Sequence, residues 1–257
     1  MTRVIVAGAA GRMGRRISYM VHQQEGLTLA AGFERPDGPE LGKDLGELAG
    51  MGTLGVPLAD SFEAVMGQGD VVIDFTFHEA TMALARKAAK AKKPMVIGTT
   101  GLSPDNLAEL AELSRNFPCV QSPNMAVGVN VLFKIARKMA ALLGDAYDIE
   151  IVEAHHRMKK DAPSGTALKL GEMVAEGVQR NLAEVGVYCR HGIIGERGEK
   201  EIGIQTIRAG DIVGEHTVYF AGAGERLELS HRAHSRDNFA RGAALAAAWV
   251  VNQPNGL

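Results

Sequence analysis

Short, almost uninterrupted apolar runs alternate with stretches of helical period in the first half of the chain. Val4-Ile5-Val6-Ala7, Leu27 to Phe33, Val71-Val72-Ile73-Asp74-Phe75, Met95-Val96-Ile97 and Cys119-Val120 are the runs. Such runs suit strands buried on both faces of a parallel sheet. Between them, Arg12 to Gln24 places Met13, Ile17, Met20 and Val21 on one face, and Glu79 to Lys92 does the same with Ala80, Ala83, Leu84 and Ala88. The spacing predicts crossover helices, and the whole reads as a βαβ succession.

The texture changes after Asn130. A helix is predicted over Val131 to Leu143, followed by strand-like alternation in Tyr147 to Ala154, Glu201 to Arg208, Ile212 to Phe220 and Leu227 to His231. Turns at Ala209-Gly210-Asp211 and Ala221-Gly222-Ala223-Gly224 would make the last three strands antiparallel neighbours. A final helix is predicted over Asp237 to Val251, with Phe239, Ala243, Ala246, Ala247 and Val250 on one stripe. The organisation expected is α/β: residues 1-125 form a parallel-sheet domain to which a helix in 236-257 returns, and residues 126-235 form an α+β domain on a mostly open sheet.

Composition narrows what such a molecule can bind. The 257 residues are 46% hydrophobic and 23% charged, enough apolar material to fill two cores. Twenty-eight Lys plus Arg against 30 Asp plus Glu give a formal charge of -2, so no basic field invites nucleic acid or an anionic membrane. No run approaches the ~18 apolar residues of a membrane span, and the first strand follows Met1 too closely for a leader peptide, so a cytoplasmic location is expected. Cys119 and Cys189 are far apart and match no zinc-ligand spacing.

Two segments carry chemistry. Gly8-Ala9-Ala10-Gly11-Arg12-Met13-Gly14 joins the first strand to the first helix as G-x-x-G-x-x-G. Glycines there permit a tight turn and close approach to a pyrophosphate, while the helix N-terminus faces the anion. A dinucleotide needs an acidic residue at the end of the next strand, and Glu34 stands there, 20 positions beyond Gly14, with Arg35 after it. A carboxylate favours the ribose hydroxyls of NADH and a guanidinium the 2′-phosphate of NADPH, so both cofactors are expected. Gly98-Thr99-Thr100-Gly101 and Ser122-Pro123-Asn124-Met125 follow the last two strands of the parallel set, where further cofactor contacts belong. A ligand-free strand-helix turn remains the alternative for the glycine loop.

The second segment runs Glu153-Ala154-His155-His156-Arg157-Met158-Lys159-Lys160-Asp161-Ala162-Pro163-Ser164-Gly165-Thr166-Ala167. A strand enters it and a helix leaves it, with Ser164 as N-cap, so Gly165 and Thr166 lie in the first turn. Titratable and cationic side chains just ahead of a helix start suit a small molecule with two carboxylates. A solvated basic loop or a metal site are the competing readings. Adjacent strand residues point to opposite faces, which makes one ion on both His155 and His156 difficult.

These motifs together resemble the 4-hydroxy-tetrahydrodipicolinate reductase family, formerly called dihydrodipicolinate reductase, over nearly the whole chain. The resemblance implies an oxidoreductase of lysine and diaminopimelate synthesis, a homotetramer with an N-terminal Rossmann-like domain and a C-terminal domain that binds substrate and partner subunits. It implies His155 as proton donor or acceptor, Lys159 as proton donor and carboxylate partner, His156 as a substrate ligand, and Gly165 and Thr166 as amides under a carboxylate. Gly8, Ala9, Ala10, Gly11, Arg12, Met13, Glu34, Arg35, Gly98, Thr99, Thr100, Ser122, Pro123, Asn124 and Met125 would hold the cofactor, and no metal is expected. The reaction implied is hydride transfer to a cyclic imine dicarboxylate, followed by protonation. A lysine is ordinarily cationic at neutral pH and a histidine exchanges its proton there, so either could serve. Two rivals remain: a thiol-dependent semialdehyde dehydrogenase using a cysteine, and a silent NAD(P)-sensing regulator.

Overall fold

Strand β1 (Thr2–Ala7) sets the architecture, because its side chains alternate between two apolar layers. Val4 and Val6 enter one core with Ile17, Val21, Leu45, Ala243 and Ala247. Ile5 and Ala7 enter the other with Val72, Met82, Ala85, Ala88 and Leu110. The computed structural model describes every residue, Met1–Leu257. The chain continues through α1 (Arg12–Gln23), β2 (Leu27–Phe33), α2 (Leu45–Ala49), β3 (Leu58–Ala59), α3 (Phe62–Val65), β4 (Val71–Asp74), α4 (His78–Ala91), β5 (Met95–Ile97), α5 (Pro104–Leu113) and β6 (Cys119–Gln121). Their six strands pair in parallel in the order β3-β2-β1-β4-β5-β6. The glycine loop after β1, Glu34 after β2, Thr76 after β4, Gly98 after β5 and Ser122 after β6 therefore share the carboxyl edge of one sheet.

The second unit, Val127–Ser235, has its own core and a separate mixed sheet. It comprises α6 (Val127–Leu143), β7 (Asp148–His155), α7 (Gly165–Gly177), α8 (Leu182–Val185), β8 (Gly186–Val187), β9 (Ile202–Arg208), β10 (Glu215–Gly222) and β11 (Glu225–Arg232). Helix α9 (Asp237–Val250) belongs to the first unit, Met1–Ala126 with Arg236–Leu257. Ala240, Ala243, Ala244 and Ala247 give it a small-residue face, and Arg16 of α1 holds Asp237 through two bonds of 2.7 Å. A Cβ on Gly242 would stand 1.7 Å from the Met125 carbonyl oxygen, so only glycine lets this helix lie against the loop after β6.

The fold is thus a Rossmann-like parallel sheet plus a mixed-sheet domain, as the patterning predicts, with two corrections. The three late strands are not consecutive neighbours: the order is β11-β10-β7-β9-β8, and β7 separates β9 from β10. Only β10 and β11 form the expected hairpin, closed by Ala223-Gly224 with Gly224 at φ 83°. The Ala209-Gly210-Asp211 segment instead crosses the end of β7, where the Ala209 N–H donates to the His155 carbonyl and the Arg157 N–H to that of Gly210. Strand β9 lies parallel to β7, an arrangement that requires the helical crossover which α7 supplies. Helix α6 also begins four residues ahead of the predicted Val131. Burial of Val129 outweighs the weak helix propensity of Val127 and Gly128.

Candidate active site

The first unit's candidate site is the carboxyl edge of the parallel sheet. Gly8 turns at φ 61°, and a Cβ there would meet the Thr76 methyl at 2.8 Å. A Cβ on Gly14 would stand 2.1 Å from the Gly8 carbonyl oxygen, so the third glycine lets α1 seat directly on the loop. Gly11 caps α1 with no side chain over the helix start, which leaves the amides of the first turn open to an anion. Gly8, Ala10, Gly11, Glu34, Arg35, Thr76 and neighbouring residues line one cleft of about 800 Å³. The cradle has the dimensions and donors that a dinucleotide's pyrophosphate and adenosine ribose require.

Not every predicted contact reaches this cleft by its side chain. Ala9 is buried beneath the loop and Met13 packs on the core, so each presents only backbone to the edge. Arg12 is exposed at the first position of α1. Gly98 lies under Phe75, whose ring a Cβ would strike at 2.1 Å. Thr99 is buried and accepts a 2.9 Å bond from the Thr81 hydroxyl, whereas Thr100 is exposed. Ser122 folds the next loop by donating to the Asn124 carbonyl at 2.8 Å, Pro123 sits between them, and Met125 is buried in the core. The residues after β5 and β6 thus extend the same sheet edge beyond the cleft's own lining.

The second unit carries its own polar cluster, built on β7. Ile149, Ile151, Glu153 and His155 alternate onto one buried face, so the strand's period of two carries an apolar core directly into a polar cluster. His155 is 9% exposed, and its Nδ1 lies 2.5 Å from Glu153 Oε2. Arg208, opposite His155 across the β7–β9 ladder, grips both oxygens of Glu153 at 2.8 Å. The Ser164 N–H donates to Glu153 Oε1 at 3.0 Å, while the Ser164 hydroxyl caps α7 by accepting from the Ala167 N–H at 3.1 Å. His216 of β10, opposite Glu153, is within 3.2 Å of that same hydroxyl through Nε2. Lys159 Nζ bonds Asp161 Oδ1 at 2.9 Å, and the Asp161 carbonyl accepts from Arg208.

The electrostatics follow from burial and partners. Burial pushes the Glu153 carboxyl upward, but the His155, Arg208 and Ser164 donors outweigh it and bring the group down to about 2. Burial, with the neighbouring His155 charge, lowers His216 to about 3 and keeps its ring neutral. Lys159 opposes the effect of burial on Asp161 and holds that carboxyl below its ordinary range. The cluster is therefore an ionised carboxylate–guanidinium pair beneath a histidine, beside a lysine and a helix start. The positions absent from the sequence reading are Thr76, Arg208 and His216. Alternation on β7 could have marked Glu153 as sharing the face of His155, but nothing local ties Arg208 to it.

Glu153 should dominate the acid response of this unit. Its folded-state value of about 2 lies below its ordinary 4.5, so its stabilisation is complete above pH 4.5 and is lost as pH falls through 2. Glu153→Gln is expected to cost about 3 kcal/mol at neutral pH, since it breaks a buried ion pair, and to flatten the loss of stability between pH 4.5 and 2. Urea melts of both proteins across that range measure this. Parallel curves would remove Glu153 from the acid response.

A glycine-rich edge of a parallel sheet, joined in one chain to a histidine-lysine cluster at a helix start, defines the class of nucleotide-dependent oxidoreductases. Sequence comparison is more specific. Residues 2–125 match the N-terminal and residues 128–257 the C-terminal family profile of dihydrodipicolinate reductase. The 4-hydroxy-tetrahydrodipicolinate reductase of Desulfotalea psychrophila is 67% identical over 257 residues, all of this chain and 96% of that one, and its Syntrophus aciditrophicus counterpart is 55% identical at the same coverage. Among solved structures, dipicolinate-bound dihydrodipicolinate reductase from Paenisporosarcina sp. TG-14 superposes with a TM-score of 0.76 at 27% identity, covering 99% of this chain and 96% of that one. The chain belongs to the dihydrodipicolinate reductase family, reductases of lysine and diaminopimelate synthesis that use NADH or NADPH.

Proposed function

We propose that the chain reduces the cyclic imine dicarboxylate of this pathway to tetrahydrodipicolinate. NADH or NADPH, when bound, supplies a hydride to C4 of the ring. The loop at Gly8, Ala9, Ala10, Gly11, Arg12 and Met13 holds the pyrophosphate through the first-turn amides of Arg12 and Met13, Glu34 holds the ribose hydroxyls and Arg35 a 2′-phosphate. Gly98, Thr99 and Thr100, with Ser122, Pro123, Asn124 and Met125, contact the nicotinamide ribose and carboxamide. In the second unit Gly165 and Thr166 present helix-start amides to one carboxylate, Lys159 and His156 grip the substrate, and His155 or Lys159 returns the proton that completes the reduction. The observation that carries the reading is the buried Glu153–His155 pair seated against the N-cap of α7, which combines a proton-exchanging group with a carboxylate seat. The assembly proposed is a cytoplasmic homotetramer. Exposed Ile207 and Leu227 on the second sheet leave apolar surface for partner subunits.

The test mixes purified protein with freshly prepared substrate and either cofactor and follows the nicotinamide absorbance. Oxidation of neither cofactor would sink the proposal. Glu34→Gln is expected to shift preference toward NADPH, because it removes a charged ribose acceptor and a repulsive neighbour of the 2′-phosphate. Arg35→Ala is expected to do the reverse. Hydrogen bonds to charged groups contribute ~1.5 to 3 kcal/mol, so each cofactor ratio should move about tenfold or more. Unchanged Michaelis constants for both cofactors in both variants would take the adenosine end away from this strand.

A further inference from the structure

We infer that Glu153 is a positioning residue that fixes the proton-bearing nitrogen of His155 and the start of α7 together, so that the acid and the carboxylate seat are set by one buried carboxylate. The inference rests on the reading of His155 as a proton-exchanging group.

The geometry allows one arrangement of hydrogens. An ionised carboxylate only accepts, and Glu153 accepts from Arg208 on both oxygens, from the Ser164 N–H and from the Thr206 hydroxyl. The remaining close neighbour, His155 Nδ1 at 2.5 Å, must therefore be a donor. That places the neutral ring in the Nδ1–H form and leaves Nε2 as the nitrogen that gains and loses a proton. The space beside Nε2 is kept open by Gly214, where a Cβ would stand 3.1 Å from that atom. When the imidazolium gives up its Nε2 proton, the N–H electron pair stays on the ring. A new C–H bond forms from the electron pair of the enamine left by hydride addition, and the Nδ1–H bond to Glu153 is kept throughout. Arg208 balances the carboxylate's charge, and the same oxygen that receives one Arg208 bond receives the Ser164 N–H, the residue whose hydroxyl caps α7. A shift of Glu153 would therefore disturb the histidine's orientation and the amides at Gly165 and Thr166 at once.

Glu153→Gln separates this role from simple structural support. An amide offers one acceptor oxygen and a donor group, so it cannot satisfy Arg208, Ser164 and His155 as the carboxylate does. Turnover is expected to fall about 100-fold, with the Michaelis constant for reduced cofactor unchanged; adding Glu153→Gln to His155→Ala should lower turnover no further but raise the Michaelis constant for substrate, which reports the carboxylate seat. Long-range proton–nitrogen spectra of histidine-labelled wild-type protein, with the His155 signal identified by its loss in His155→Ala, are expected to show the Nδ1–H form. This measurement decides the matter even if Glu153→Gln does not fold. An Nε2–H form in the wild type, or a folded Glu153→Gln protein within threefold of wild-type turnover, would overturn the inference. Wild-type turnover in His155→Ala would overturn the reading of His155 as the proton-exchanging group and leave Lys159 as the donor, a failure distinct from an Nδ1–H signal being absent.

Discussion

His155→Ala and Lys159→Ala are each expected to lower turnover by about 10²- to 10⁴-fold, the range of a positioned acid or base, while affinity for NADH stays within about twofold. The expectation follows from where the groups reside. Both belong to the second unit, on β7 and the loop that follows it, whereas the glycine cradle with Glu34 and Arg35 belongs wholly to the first. His155 is held by Glu153 at 2.5 Å and Lys159 by Asp161 at 2.9 Å, so truncating either removes a side chain already oriented by an anion. The two variants should differ in kind. Removing Lys159 deletes a substrate contact as well as a cation, and the Michaelis constant for substrate should rise along with the fall in turnover. Removing His155 should act chiefly on turnover. Steady-state kinetics with fluorescence titration of NADH measures both effects. Tenfold weaker cofactor binding with turnover intact, in either protein, would place these residues on the wrong side of the reaction.

The parallel sheet was legible because its strands obey a rule that acts locally. A strand buried on both faces must be apolar at consecutive positions, and Val4-Ile5-Val6 and Val71-Val72-Ile73 are fully buried on both sides. The glycine loop was legible for a similar reason: a Cβ on Gly14 would meet Gly8 and Ala9 within one strand-turn-helix, so that steric demand is written over a few residues, whereas the Thr76 methyl that faces Gly8 comes from the loop after β4. The mixed sheet was less so. Alternation identified its long strands, but pairing β7 with both β9 and β10 depends on which side of β7 the chain returns after α7, and no local pattern encodes that choice.

The polar cluster shows the same division. His155, Lys159, Ser164 and Gly165 lie within one motif, and their chemistry could be read from type and spacing. Arg208 and His216 reach Glu153 and Ser164 only through the sheet, 55 and 52 residues away in sequence. Against the rival thiol chemistry, it is the placement of Cys119 that speaks, rather than any pattern. Cys119 is buried in β6 and its thiol is pushed up to about 12 by that burial, which makes it a poor nucleophile. Cys189 is exposed and unpaired on a loop.

Gly165→Pro is expected to abolish most of the affinity for a planar 2,6-dicarboxylate without unfolding the protein. Gly165 is the first residue of α7, the helical position that proline tolerates best, because its N–H has no partner within the helix. Ser164 already has the extended backbone that a following proline demands, at φ -65° and ψ 151°, and a Cβ on Gly165 would meet nothing within 4 Å. The substitution therefore deletes one amide donor aimed at the proposed carboxylate and changes little else. A hydrogen bond to a charged group contributes ~1.5 to 3 kcal/mol, which corresponds to a roughly 10- to 150-fold loss. Thr166→Val, which keeps volume but removes a hydroxyl, should weaken the same ligand less. Pyridine-2,6-dicarboxylate, the compound bound in the Paenisporosarcina relative, is the probe, titrated calorimetrically and as a competitive inhibitor against substrate. Wild-type affinity in a Gly165→Pro protein that remains folded and still binds NADH would move the carboxylate seat away from α7, and with it the assignment of Lys159 as its cationic partner.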